Sequence, residues 1–95
     1  MRKITQDAIS AFYNNQAFKQ GNTQVALITE GVQLKLHGHI IAELNQGEVF
    51  IDSCGYMTPT TKERLNGLKG VNIVQKKGLW YLNGNEWNGN IIKVK

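Results

Sequence analysis

Two histidines, His37 and His39, flank Gly38, and the only cysteine of the chain is Cys54. These are the side chains whose types could hold a metal or carry out nucleophilic chemistry. Structural zinc needs a closed set of Cys and His ligands in closely spaced sequence pairs. With one cysteine no such set assembles, so no metal is expected. Cys54, next to Gly55, could attack as a thiolate with His37 or His39 as its base. A lone cysteine at a strand end is more often a small buried hydrophobe, and histidines around a glycine more often mark a half-wet strand end. The glycines form neither a phosphate loop nor a dinucleotide fingerprint. Asp52 and the scattered glutamates show no paired-carboxylate spacing, and Thr58, Thr60 and Thr61 are better explained by helix capping. No catalytic residue and no cofactor is expected, and an enzyme reading has little to stand on.

Binding chemistry has more support. Trp80, Tyr81 and Trp87 interleave with Lys76, Lys77 and Lys93, the combination of stacking rings and cations that holds single-stranded nucleic acid on a sheet face. Strand alternation, however, puts Trp80 and Tyr81 on opposite faces, so only one side could serve as a stacking platform. The other reading is a protein-binding surface, because exposed aromatics and arginine are typical interface anchors. The loop Asn83–Gly89 would present Glu86 and Trp87, flanked by Lys76, Lys77 and the outer face of a Lys62–Arg64 turn. The candidate partner-binding set is Lys62, Arg64, Lys76, Lys77, Trp80, Glu86 and Trp87.

Charge agrees with a surface at that end. The net charge is +4, and it is unevenly placed. Residues 60–95 carry Lys62, Arg64, Lys69, Lys76, Lys77, Lys93 and Lys95 against only Glu63 and Glu86. Residues 1–59 carry more acids than bases. A basic third of this kind is either a polyanion-facing surface or an ordinary solvated face. At 95 residues and 41% hydrophobic content, the chain suits one domain, residues 1–95, with one modest core. Disorder is not expected. A single cysteine excludes an intramolecular disulfide, the amino terminus lacks a signal-peptide apolar run, and no stretch approaches the ~18 apolar residues of a membrane span. A cytoplasmic protein without membrane contact is expected.

The elements that would position these residues can be read in order. Thr5 can cap a helix over roughly 6–14, with Asp7 in its first turn and Ile4, Ala8, Ala11 and Phe12 on one stripe. Phe18 anchors the following connection, which Gly21-Asn22 ends. Extended runs follow at 23–29, 32–37, 39–44 and 48–53, divided by Glu30-Gly31, by Gly38 as a bend or bulge, and by Asn45-Gln46-Gly47. A second helix starts at a Thr60/Glu63 capping box or, alternatively, at Thr58 with Pro59 in the first helical position. Thr61, Leu65 and Leu68 would face the core while Lys62, Arg64 and Lys69 would not, and Gly70 ends the helix. Runs 71–76 and 79–82 make a hairpin through Lys77-Gly78. Asn83-Gly84 is a strong two-residue turn that would place Trp80 opposite Trp87, but Asn88-Gly89 competes, and one broad loop over 83–89 is slightly favoured. Residues 91–94 close the chain as an edge strand that is available for pairing between chains.

The order α-β-β-β-β-α-β-β-β with short connections predicts an α+β fold: one antiparallel meander sheet with both helices packed on one face. Ile4, Phe12, Leu34, Leu36, Ile51, Leu65 and Ile73 are expected to share the core. A small bent barrel plugged by a helix is the runner-up.

The runs TTKERLNGL, GVNIVQKKGLWYLNG and EWNG, with GNTQV and LHGHIIA before them, resemble a family of small accessory proteins of tailed phages and prophages. The resemblance implies a phage origin and a place in the cytoplasm of an infected bacterium, and it carries over no catalytic residue. It favours a compact module that docks on a host or defence-system protein as an inhibitor or adaptor. The alternative is a single-stranded nucleic-acid-binding protein using the basic, Trp-containing end.

Overall fold

The computed structural model describes all residues, Met1–Lys95. Two helices and nine strands follow one another as α1 (Lys3–Tyr13), β1 (Phe18–Gln20), β2 (Thr23–Ile28), β3 (Gly31–Leu36), β4 (His39–Asn45), β5 (Glu48–Ile51), α2 (Pro59–Leu65), β6 (Ile73–Lys76), β7 (Leu79–Leu82), β8 (Asn85–Glu86) and β9 (Ile92–Lys93). The class is α+β, and every strand pair is antiparallel. The expected succession of elements holds, with β1 and β8 added. Both are short, at three and two residues, which is why no run of apolar residues announces them.

The strands divide into a six-stranded sheet, ordered β1-β2-β3-β4-β5-β9, and a three-stranded sheet, β6-β7-β8. The division arises at the end of the chain. β9 pairs not with its sequence neighbours but with β5, through Phe50↔Lys93 and Ile51↔Ile92, and so leaves the small sheet behind.

Alternation in β3 sends Val32, Leu34 and Leu36 inward, as period-2 patterning requires. In β4 the register shifts between the Leu34↔Ala42 and Lys35↔Ile40 pairs. This bulge inserts one residue, and the consecutive Ile41 and Ala42 are both buried. The irregularity therefore lies inside β4, whereas Gly38 serves in the tight β3–β4 turn, with φ +80° after His37 at +51°.

Ala8, Ala11 and Phe12 of α1, Leu65 of α2, Ile51 of β5, and Ile73, Trp80 and Leu82 of the small sheet belong to one hydrophobic cluster. Ile4 is half-buried and lies outside that cluster. The turn that follows α2 meets α1 closely at Gly67. A Cβ there would stand 2.7 Å from Ile9 Cγ1 and 3.0 Å from Thr5 Cγ2, so only glycine lets this turn lie against α1.

The start of α1 differs from the sequence expectation, and α2 takes the alternative start at Thr58-Pro59 in place of the Thr60/Glu63 capping box. α1 begins at Lys3 with Arg2 as N-cap and no side-chain cap. Thr5 is inside the helix and fully buried. In α2, Thr58 is the N-cap, its hydroxyl accepting from the Thr61 N–H at 3.2 Å with Pro59 in the first turn. Glu63 does not reach back to Thr60, because Thr5 engages its carboxylate. The helix ends at Leu65 with Asn66 as C-cap, ahead of Gly70.

Candidate functional site

The His37–His39–Cys54 neighbourhood holds no cluster of three potential metal ligands. His39 stacks on Tyr56 at 4.6 Å between ring centroids. The Cys54 thiol donates to the Ile40 carbonyl at 3.0 Å. Burial, and then the Asp52 carboxylate, push its pKa up, the opposite of what a thiolate nucleophile needs.

The structure divides the candidate partner-binding residues sharply. Lys76, Lys77 and Glu86 are exposed and Lys62 is half-buried. Arg64, Trp80 and Trp87 are interior, at 1%, 3% and 6% exposure. A docking surface therefore excludes these three, and each has a physical reason to be inside.

Arg64 sits on the apolar stripe of α2, in step with Thr61, Leu65 and Leu68. Its Nε donates to the Thr23 hydroxyl at 3.0 Å and its guanidinium to the Thr5 hydroxyl at 2.8 Å. It also pairs with the Glu63 carboxylate. A buried guanidinium is tolerated only when it is paired and hydrogen-bonded, and this arrangement supplies both. For Glu63, partial burial pulls the pKa up, but the hydrogen bond from Thr5, the Arg2 N–H and the Arg64 charge outweigh it and hold the carboxyl below its ordinary range.

The tryptophans are brought together by the Asn83-Gly84 turn, where φ is +50° and +89°. It closes a two-residue hairpin with Leu82 opposite Asn85, so the broad loop over 83–89 does not form. The Trp87 N–H donates to the Trp80 carbonyl at 2.9 Å. The ring centroids lie 6.1 Å apart, and the Trp87 indole N–H is satisfied by the Asn90 carbonyl at 2.9 Å.

What remains outside is the other face of β6–β7. Ile73, Trp80 and Leu82 point inward, so alternation turns Val74, Lys76, Leu79 and Tyr81 outward. Val74 pairs across with Tyr81, Lys76 with Leu79, and Tyr81 with Glu86 on its other side. Val74 is 38% and Leu79 46% exposed, and Tyr81 is half-buried. The result is an apolar centre edged by Lys76, Lys77 and Glu86. The sequence singles out the cations, and Tyr81 as a candidate stacking ring, but not Val74 and Leu79. The signal was the alternation itself, once the tryptophan side is known to face in.

No helix is long and apolar enough to cross a membrane. Fold and surface together define a small α+β protein with one face of its minor sheet left uncovered. Residues 1–93 match the model of the Kyanoviridae Gp96 protein family, and the chain belongs to that family of small phage proteins. Neither the comparison with curated proteins nor that with solved structures gives a match.

Proposed function

We propose that this phage protein acts by binding, without catalysis, and that its partner is a protein of the bacterial host or of a host defence complex, which it inhibits or adapts in the host cytoplasm. One observation carries this reading: Val74, Leu79 and Tyr81 share an uncovered sheet face, with Lys76 and Lys77 at its border. Apolar centres with polar rims are the anatomy of protein interfaces, and the lysines favour a partner surface with acidic residues around an apolar patch. A single-stranded nucleic acid finds less here, since Trp80 and Trp87 are buried and Tyr81 is the only ring on this face.

The test is capture from nuclease-treated host lysate with tagged wild-type protein, Leu79→Asp and, as a control on the other sheet, Leu27→Asp. The reading expects one host protein to be retained by wild type and the control and lost with Leu79→Asp, all three having the same melting temperature. Equal retention by all three, or recovery of nucleic acid alone when nuclease is omitted, overturns it.

A further inference from the structure

The two sheets each end at the same groove. β8 is an edge of the three-stranded sheet and β9 an edge of the six-stranded one. Asn85 and Glu86 line a cleft of about 250 Å³ together with Ile92, Lys93 and Val94. In an antiparallel ladder every second residue of an edge strand turns its N–H and C=O away from its neighbour. On β8 the Trp87 N–H bonds the Trp80 carbonyl, so Glu86, one residue earlier, turns its peptide groups out. Beside β9 the Val94 N–H bonds the Val49 carbonyl at 2.8 Å, so Lys93 does the same. Both outward-turned residues line this cleft, Ile92 and Val94 supply its accessible apolar side, and the buried Leu82 and Trp87 lie at its floor.

We propose that this cleft accepts an extended peptide segment of a partner protein. The segment's main chain pairs with Glu86 and Lys93, bridging the two sheets, and one of its apolar side chains lies against Ile92 and Val94. The proposal rests on the reading that the partner is a protein, but its recognition groups are main-chain atoms outside the Val74–Leu79–Tyr81 face. Unpaired strand edges select another polypeptide backbone. The cleft is smaller than the ~300 Å³ at which small-molecule pockets begin, so it suits a side chain better than a cofactor. A polyanion gains little there, because Glu86 is at the rim and the Lys93 ammonium is already paired with Glu48. The connection between β8 and β9 is anchored at Gly89, which at φ +88° lies so close to Ser53 that a Cβ would stand 2.4 Å from its Oγ, and whose carbonyl accepts from the Ser53 N–H at 2.8 Å.

The experiment selects a displayed library of random seven-residue peptides on the immobilised full chain, then measures the enriched peptides against variants. Glu86→Pro and Lys93→Pro each delete one outward N–H, which an edge strand tolerates. Each should weaken binding about tenfold, the loss of one main-chain hydrogen bond. Glu86→Ala and Lys93→Ala, which keep the main chain, should bind as wild type does. On the wild-type protein, peptide binding should slow amide exchange at Glu86 and Lys93, a readout independent of how the proline variants fold. Leu79→Asp should leave peptide binding unchanged, so a failed cleft and a failed outer face are told apart. An unproductive selection, or peptides that bind without protecting these two amides, overturns the proposal.

Discussion

The guanidinium of Arg64, on α2, donates to the hydroxyl of Thr5, on α1, at 2.8 Å, and both residues are buried. Through Thr23 the same side chain reaches β2. One cation thus ties both helices to the major sheet. Removing it by Arg64→Ala leaves buried hydroxyls without a donor and Glu63 without its cationic partner. Because Glu63 is 27% exposed, the loss should fall near the lower end of the range for broken buried pairs, about 3 kcal/mol. Urea unfolding would measure it, and a change within about 0.5 kcal/mol, typical of surface sites, would contradict the buried network.

Acid should weaken the same network. The folded-state pKa of Glu63 is depressed, so its contribution is fully present above the unfolded glutamate value of about 4.3 and is lost as pH falls through the lower folded value. Glu63→Gln should therefore lower stability at neutral pH and flatten the decline of stability below about pH 4. Parallel stability–pH curves for the two proteins would refute this.

Gly67 tests the packing of the turn after α2 against α1. Gly67→Ala places a methyl 2.7 Å from Ile9 Cγ1, and overpacking of this kind costs about 1–3 kcal/mol. A neutral or stabilising substitution would show that the turn after α2 does not approach α1 as described.

Trp87→Ala should destabilise the fold by roughly 3–5 kcal/mol, as for other buried large aromatics. A surface tryptophan would leave the melting temperature unchanged, so calorimetry separates the two placements directly.

Much of this was legible in the sequence. Val32, Leu34 and Leu36 alternate cleanly; Asn83-Gly84 and Thr58-Pro59 carry the right local signals, but in the sequence alone Asn88-Gly89 and the Thr60/Glu63 spacing compete with them and outweigh them. These are local signals, and the structure uses each of them locally. Arg64 was harder: Thr61, Arg64, Leu65 and Leu68 fall at i, i+3, i+4 and i+7, so periodicity puts it inside while its charge argues for outside. The partners that decide the matter, Thr5 and Thr23, lie far away in sequence. The tryptophans show a second limit. Alternation fixes that Trp80 and Leu82 share a face, but not which face meets the core. The split into two sheets depends on the pairing of β5 with β9, which no local pattern encodes.

The central claim is that the outer face of β6–β7 meets a protein. Photo-crosslinking through an unnatural aromatic residue installed at position 79, and separately at position 27, tests it in infected cells. Leu79 and Leu27 are comparably exposed, at 46% and 52%, but lie on different sheets. The account predicts an adduct with a single host protein from position 79 and none from position 27. Adducts from position 27 alone, or with nucleic acid only, would contradict it.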